Sequence, residues 1–333
     1  MIGYNKFMKK FLAILVLGLF IAYYLFGLNE LAVIFWAIAF CAGYVSLSAS
    51  IRIWQKREIR KYHKKHKTIP KTYEDLEKHL KSSVSVMPHL KKKLTLPNVT
   101  LIAVTSVEIE EHQMSLKISS QNIEFGAVKL LSSLPPEKKY SDIEYVSVAP
   151  MDLYDQNRFM VDDLHKCFET SHCLYVEAHS FVVNVDLWKE KFLEFDYIGA
   201  PWPNKIQMDP SLIGTPGLPG PIPILNMKEN CVGGGGFSLR SHKLLKTVSK
   251  INYDSLKFPI KNEDLLICHY LYKDMIDKGI RFAPPKLAAQ FAIECDPLHL
   301  YGQDVNSVFG FHAKHMRDYF LKEYMRRASM GKW

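Results

Sequence analysis

A few acidic and imidazole side chains in this sequence could bind a metal ion or a phosphate group. Glu177 and His179 follow a predicted strand with the spacing i, i+2, and an extended backbone would point both side chains to the same side. A carboxylate and an imidazole placed together could meet a metal or a diphosphate there. His312 stands alone late in the chain, and Asp264 begins a predicted helix, where a carboxylate can also be a simple cap. Each of these residues has an ordinary structural interpretation when it is taken by itself.

A run of four glycines, residues 233–236, leads into Phe237. The run lacks the Lys and Ser/Thr of a P-loop, and no GxGxxG follows the first predicted strand, which disfavours ATPases and dehydrogenases. Ser238 is not in a G-x-S-x-G elbow, and no HExxH motif occurs, which disfavours serine hydrolases and metalloproteases. The glycines allow the backbone to turn, or to approach a neighbour or a ligand closely.

Short apolar segments alternate with helical patterns in the middle of the chain. The predicted strands are residues 99–104, 125–131, 144–149 and 173–176, and the predicted helices are about 110–122 and 155–168. This alternation predicts an α/β fold with a mostly parallel sheet and helices on both faces. Ligands of such sheets bind beyond the carboxyl ends of the strands, where Glu177 and His179 are expected.

The second half of the body has a different pattern. Prolines and glycines crowd residues 201–223, which predicts a long irregular loop. Loops of that length are typically lids, binding loops or disordered segments. Helices are expected from about residue 241 and from about residue 262, and a basic amphipathic helix is expected over residues 313–327.

Two long apolar runs near the amino terminus predict a membrane hairpin. Residues 11–28 and 31–51 are uncharged, and each is long enough to cross a bilayer core of about 30 Å as a helix. Basic residues flank both runs, so the positive-inside rule places both ends in the cytoplasm. Two alternatives stay open: a cleaved signal peptide, although no small-x-small cleavage site follows the first run, and a single anchor with the body outside.

The charges of the 333 residues are unevenly distributed. Residues 1–96 hold 17 Lys/Arg against 5 Asp/Glu, and residues 97–333 hold 26 against 29, which together give the net charge of +9. A nearly neutral body disfavours nucleic acid as a partner, whereas the basic residues beside the predicted hairpin favour contact with anionic lipids. Six cysteines without a CxxC pair indicate a reducing compartment.

Eight short sequence blocks occur in a characteristic order. They are Thr100–Ser106, Arg158–Met160, His172–Leu174, Phe181–Trp188, Asp196–Trp202, Gly234–Arg240, Glu263–Asp264 and Phe309–His312. Together they resemble a family of domains of unassigned function that is similar to GT-A glycosyltransferases and is frequent in bacterial polysaccharide gene clusters. The resemblance covers residues 97–313 and implies a GT-A-like, Rossmann-like fold.

The resemblance also implies a nucleotide-sugar pocket at the strand ends. Asp264 would be the base that deprotonates the acceptor hydroxyl, and Glu263 would contact the acceptor. His179 and His312 would bind a divalent metal, Mn²⁺ or Mg²⁺, that neutralises the departing diphosphate. The further residues implied are Thr105, Ser106, Glu108, Arg158 and Glu177 for the sugar donor, and Trp202, Gly234, Gly235, Gly236 and Phe237 for the acceptor or its loop.

One position departs from the family pattern. In the family, the strand that precedes the position of Phe181 ends in an aspartate followed by a glycine. This chain has His179 and Ser180 at those two positions. Histidine is a softer ligand that suits Mn²⁺ and other transition metals better than Mg²⁺. Glu177 could compensate; the alternatives are a reaction without metal, or lost activity.

These observations predict four segments and one function. The segments are a membrane hairpin (1–54), a basic juxtamembrane linker (55–96), a glycosyltransferase-like domain (97–313) and a basic C-terminal helix (314–333). The predicted function is transfer of a sugar from a nucleotide-sugar donor to a lipid-linked or glycan acceptor, with inversion, at the cytoplasmic face of a bacterial inner membrane. The alternative is an inactive sugar-nucleotide-binding or scaffolding subunit of a polysaccharide assembly complex. A membrane-bound metal hydrolase would need a tighter His/Asp cluster than the sequence offers.

Overall fold

The structure is a computed structural model that describes residues 69–83, 94–207, 224–227, 229–256, 262–294, 303 and 306–329. From Pro70 onward these residues belong to one compact unit. Both apolar runs of the predicted hairpin lie outside the described residues, and the hairpin stays a prediction. Within the described ranges, no helix combines the length and the apolar character that crossing a membrane requires.

The central sheet is mixed and mostly parallel, as predicted. The strands are β1 (Leu94–Thr105), β2 (Ile123–Ser132), β3 (Glu144–Ser147), β4 (His172–Val176), β5 (Ser180–Val182), β6 (Tyr197–Ile198), β7 (Ala200–Pro201), β8 (Lys205–Gln207), β9 (Ile224–Asn226), β10 (Val232–Gly233), β11 (Phe237–Ser241), β12 (Ala292–Ile293) and β13 (Gly310–His312). Six of them form one sheet in the order β3-β2-β1-β4-β11-β6. Of these, β11 is antiparallel to both of its neighbours, whereas β3, β2, β1 and β4 run parallel.

The helices surround this sheet. They are α1 (Tyr73–Ser83), α2 (Ile109–Ser120), α3 (Leu153–Asp162), α4 (His242–Val248), α5 (Glu263–Leu265), α6 (Tyr272–Asp277), α7 (Pro285–Phe291) and α8 (Lys314–Ser329), with a π-helical segment, Leu266–Tyr270, between α5 and α6. The helix predicted over 155–168 is shorter and starts earlier. It starts at Leu153 because the Asp152 carboxylate caps it by accepting the N–H of Asp155. It ends at Asp162, where acidic residues meet the negative end of the helix dipole.

Strand β1 is buried on both faces because its apolar side chains alternate between two cores. Leu101 and Ala103 belong to the larger core, which includes residues of α2. Ile102 and Val104 belong to a second core, which includes residues of α3. The continuous apolar run of β1 thus reflects a strand covered by helices on both sides.

A helix lies inside residues 55–96, the range that the sequence predicts to be a linker. On α1, Leu76 and Leu80 are buried, and the Tyr73 ring meets the Tyr140 ring edge to face at 5.5 Å. The helix contacts α2 and α8. These three positions of α1 are three and four residues apart, which is the spacing of a buried helix face. The folded body therefore includes residues that the proline pattern alone assigns to a linker.

Three short strands form a second sheet in the order β12-β13-β5, of which β5 follows β4 closely in the chain. Strand β13 pairs in parallel with β12 and antiparallel with β5. The pairing places His312 opposite Ser180. Segments more than 100 residues apart in the chain thus meet next to the carboxyl end of β4.

Candidate functional site

Two histidines and a glutamate form a cluster at the carboxyl end of β4. The Nε2 atom of His312 lies 3.1 Å from Oε2 of Glu177 and 3.1 Å from Nε2 of His179. The third side of this triangle, from His179 Nε2 to Glu177 Oε2, measures 3.2 Å. Between 17% and 28% of each side chain is exposed, so the cluster is partly open to a ligand. The convergence of these three residues was a sequence-based expectation, and the structure brings them together.

The strand pairing explains why the cluster forms. Glu177 and His179 occupy the three-residue turn between β4 and β5. The Ser180 hydroxyl closes this turn, because its Oγ accepts the N–H of Glu177 at 2.7 Å and donates to the carbonyl of Gly236 at 2.7 Å. The antiparallel pairing of β5 with β13 then brings His312 beside the turn.

The three atoms fit the donor set of a transition metal. The three atoms lie 3.1 or 3.2 Å from one another, so one ion could contact all three at ligand distances of about 2.1 Å. Two imidazoles and one carboxylate suit Mn²⁺ and related ions better than Mg²⁺.

The electrostatics of the cluster favour a positive charge at its centre. Burial raises the pKa of Glu177, but hydrogen bonds from His179 and His312 outweigh burial and hold this pKa well below its usual range. Burial lowers the pKa of His312, but the charge of Glu294 and the bond to Glu177 outweigh it and hold this pKa well above its usual range. A proton on His312 or a bound cation can each supply that charge.

Glu294 supports His312 from the other side of the imidazole ring. Its Oε1 atom lies 2.7 Å from Nδ1 of His312, and its Oε2 atom accepts the indole N–H of Trp202 at 2.8 Å. A carboxylate at Nδ1 leaves Nε2 facing Glu177 and His179, which is the arrangement that orients a metal-binding histidine. Sequence analysis missed Glu294, although it directly follows β12, which runs parallel to β13. Glu177 was selected because it follows the carboxyl end of a predicted strand. Glu294 would have been selected for the same reason if the short strand β12 had been predicted.

The glycine run lies against this cluster and leaves no room for side chains. A Cβ atom on Gly236 would lie 2.2 Å from Nε2 of His312, and one on Gly234 would lie 2.5 Å from Oε2 of Glu294. Gly234 also has a φ of +72°, which favours glycine. The absence of side chains thus lets the glycine backbone pack directly against the side chains of His312 and Glu294.

Asp264 lies on the other side of the same glycine run. Its Oδ2 accepts the N–H of Gly235 at 3.0 Å, and its Oδ1 accepts the N–H of Leu265 at 2.7 Å. Burial, followed by the charges of Glu263 and Glu294, raises the pKa of Asp264 to about 7. Asn262, and not Asp264, is the residue that precedes α5, so Asp264 is not the cap of this helix.

Glu263 contacts the framework of the fold, and the acceptor contact that the resemblance implies stays a prediction. Its Oε1 accepts a 2.6 Å hydrogen bond from the fully buried Arg240, whose Nη2 also donates to the carbonyl of Gly235 at 3.0 Å. A buried carboxylate is held by its cation because separating the pair would leave an uncompensated charge. Glu263 and Arg240 therefore fix the backbone that carries Asp264 and Gly235.

The residues expected near the sugar donor lie at or beyond the ends of the first strands. Thr105 closes a local turn, because its Oγ1 accepts the N–H of Val107 at 3.0 Å. Ser106 makes a long-range contact, because its Oγ accepts the N–H of Met151 at 2.8 Å. Glu108, with a φ of 51°, is the residue before α2, and its carboxylate lies 3.6 Å from Lys314.

Arg158 and two aromatic residues differ from their expected surroundings. Arg158 lies on α3 and forms ion pairs with Asp162 and Asp254 at 3.3 and 3.1 Å. Phe237, expected at the acceptor loop, is fully buried among core aromatic rings. Trp202 is 5% exposed, so it supports Glu294 from within the fold and is not an open platform for an acceptor. An aromatic residue in a sequence block does not reveal whether its ring faces a ligand or the core.

Comparison with known proteins identifies one family. Residues 147–312 match the model of a family described as "Protein of unknown function (DUF5672)". The matched region contains the Glu177, His179 and His312 cluster, the glycine run and Asp264. No curated protein matches the sequence.

Proposed function

We propose that this protein is a membrane-anchored glycosyltransferase of the GT-A type. It transfers a sugar from a nucleotide-sugar donor to a lipid-linked or glycan acceptor at the cytoplasmic face of a bacterial inner membrane. One observation carries the proposal: a cluster suited to a divalent metal and a carboxylate with a pKa near 7 lie on the two sides of one glycine run. Both lie beyond the strand ends, where sheets of this class bind their ligands.

Glu177, His179 and His312 would hold the metal. When bound, a divalent cation there would neutralise negative charge on the diphosphate as the sugar departs. The glycine run is buried and places backbone, with no side chains, next to this position. Glu294 holds the imidazole of His312 in place through Nδ1.

Asp264 is the proposed general base. A pKa of about 7 leaves a substantial ionised fraction at neutral pH and gives the carboxylate a stronger pull on a hydroxyl proton than an ordinary aspartate has. The N–H groups of Gly235 and Leu265 fix the orientation of its two oxygens. A base that removes the acceptor proton supports direct attack on the anomeric carbon, so we propose inversion of configuration.

The test is binding and turnover of nucleotide sugars by the full-length protein in detergent or bilayer nanodiscs, with Mn²⁺, with Mg²⁺ and with a chelator. We expect stronger activation by Mn²⁺ than by Mg²⁺ and loss of both binding and donor hydrolysis in His179→Ala. The control is His315→Ala, which removes an exposed histidine of α8 near the cluster in sequence. Equal turnover in chelator and in Mn²⁺ would contradict the metal role.

A second candidate function is a silent sugar-nucleotide-binding or scaffolding subunit of a polysaccharide assembly complex. His179 favours it, because this residue replaces the aspartate of the family pattern. The hydrogen bonds among Glu177, His179 and His312 also form without a cation. A wild-type protein that binds a nucleotide sugar, yet neither transfers nor hydrolyses it with any membrane-lipid acceptor, would favour this candidate.

A further inference from the structure

Three neighbouring strands of the central sheet end at the same level. Thr105 of β1 is paired with Ser132 of β2, and Ser132 is paired with Ser147 of β3. The residue two positions beyond each of these is apolar and exposed. Val107 is 66% exposed, Leu134 is 64% exposed, and Ala149 is also exposed.

Local hydrogen bonds hold these residues outward. Thr105 Oγ1 accepts the N–H of Val107 at 3.0 Å, and Ser132 Oγ donates to the carbonyl of Leu134 at 2.7 Å. The hydroxyls of Thr105 and Ser132 therefore close the turns that carry Val107 and Leu134. The exposure of Val107 and Leu134 is a built feature of the strand ends.

A fourth apolar residue extends the set. The N–H of Met151 binds Ser106 Oγ at 2.8 Å, which brings the start of α3 beside the end of β1. Leu153 at that helix start is 42% exposed. We call Val107, Leu134, Ala149 and Leu153 the apolar rim. Of the five large apolar side chains that are exposed among the described residues, the rim holds three.

The rim lies at the same edge of the sheet as the candidate metal cluster. Strand β4 is the parallel neighbour of β1, with Ile102 opposite Tyr175. Continuing that register puts Thr105 level with the turn that carries Glu177 and His179. An acceptor at the cluster would therefore lie next to the rim.

We propose that the apolar rim contacts the surface of a phospholipid membrane, so that the acceptor is lipid-linked. The sequence supplies the argument for this occupant, because apolar runs of 18 and 21 residues and a basic stretch precede the folded body. Exposed Lys138 and Lys139 follow Leu134, but exposed Glu108 and Asp152 lie beside Val107 and Leu153, so the contact rests on the apolar side chains and not on charge. The identity of the acceptor rests on the proposed function, whereas membrane contact does not.

The energetics fit a contact that orients an anchored protein. Complete burial of a Val or Leu side chain contributes about 1.5–3 kcal/mol, and a side chain in the interface gains only part of that. Three such side chains give weak binding for a free protein. A chain already tethered to the membrane has a high effective concentration at its surface, so a weak contact suffices to orient the site.

The experiment uses the full-length protein in vesicles of phosphatidylcholine and phosphatidylglycerol. Single cysteines at Val107, Leu134 and Leu153, in a background without native cysteines, carry an environment-sensitive fluorophore. The matched control is Ile276 on α6, which is 43% exposed. We expect a blue shift and quenching by brominated lipids at the three rim positions and neither at the control. Rim labels that stay as water-like as the control label would overturn the proposal.

Two further measurements separate the possible failures. In the native cysteine background, Val107→Asp and Leu134→Asp should reduce turnover with a membrane-embedded acceptor about tenfold, without changing Mn²⁺ affinity; unchanged turnover would count against the rim. Quenched labels without sugar transfer would leave membrane contact standing and refute the glycosyltransferase. Sugar transfer with unquenched labels would support the glycosyltransferase and refute membrane contact. The rim labels could also respond to a nucleotide sugar in lipid-free detergent and not respond to lipid. That result would assign the rim to the donor pocket and refute membrane contact.

Discussion

Replacing Asp264 by asparagine should reduce activity and raise stability at alkaline pH. Asparagine keeps the shape of the side chain but cannot accept a proton from a hydroxyl group. If Asp264 is the general base, turnover should fall by about 10²–10⁴-fold while affinity for the sugar donor is kept. Wild-type turnover should rise with pH as Asp264 ionises, with a midpoint near its pKa of about 7.

The magnitude of the stability change follows from the same pKa. Burial and the charges of Glu263 and Glu294 raise the pKa of Asp264 from 3.8 to about 7 in the folded protein. The folded state therefore holds this proton more tightly than the unfolded chain does. The contribution of Asp264 to stability is therefore greatest below about pH 4 and falls as the pH rises to about 7, by at most about 4 kcal/mol at about 1.4 kcal/mol per pKa unit.

Asparagine removes the ionised form but loses one acceptor. One amide oxygen can serve only one of the two N–H groups that Asp264 now binds, which costs about 1–1.5 kcal/mol. We therefore expect Asp264→Asn to be about 1–3 kcal/mol more stable than the wild type at pH 8. Near pH 4 the variant should be equally stable or slightly less stable.

The assay compares unfolding midpoints and turnover of both proteins between pH 4 and pH 9. The control is Asp274→Asn, which changes an exposed carboxylate on α6 and should leave both profiles unchanged. Equal stability of Asp264→Asn and wild type at all pH values would refute the electrostatic reasoning. Unchanged turnover in Asp264→Asn would refute the assignment of the base.

The remaining predictions concern the cluster and the anchor. Gly236→Ala should weaken Mn²⁺ binding by about 1–3 kcal/mol, an amount typical of overpacking, as measured by calorimetry. The reason is that the new Cβ would lie 2.2 Å from Nε2 of His312. Unchanged affinity would show that the cluster is not the metal site. Glu294→Gln should lower Mn²⁺ affinity about 10–100-fold, because an amide cannot accept from both imidazole and indole. Its control, Glu190→Gln, alters an exposed glutamate that also accepts an indole N–H, and an equal effect in both would remove the orienting role. Cysteine labelling at Lys6 and Lys67 should place both on the cytoplasmic face, and labelling at Lys67 only from outside would exclude the hairpin.

The four parallel strands of the sheet and two of the three cluster residues could be predicted from local sequence patterns. The run 99–104 indicates a strand covered on both faces, and Glu177 and His179 follow another such strand at a spacing that lets both face one side. These inferences use only residues that are close in sequence. The structure adds that the turn between β4 and β5 is closed by Ser180, so both side chains meet on a turn and not on extended backbone.

Long-range pairing could not be predicted in the same way. The contact of His312 with His179 depends on the pairing of β13 with β5, and both strands have three residues, too few for a periodic pattern. Glu294 was missed because β12 has only two residues. The surroundings of Glu263 and Phe237 could not be predicted, because sequence does not show that Glu263 pairs with Arg240 or that Phe237 packs among core aromatic rings.

The separation of the cluster along the chain has a consequence for biogenesis. The imidazoles of His179 and His312 lie 3.1 Å apart but are separated by 133 positions. A growing chain therefore completes the cluster only once His312 has left the ribosome, and shorter nascent chains lack the third ligand. Closing so long a loop carries an entropic cost that a cation shared by both ends would help to offset, in the manner of a reversible cross-link. Cellular metal supply would then influence how long the newly made protein survives proteolysis.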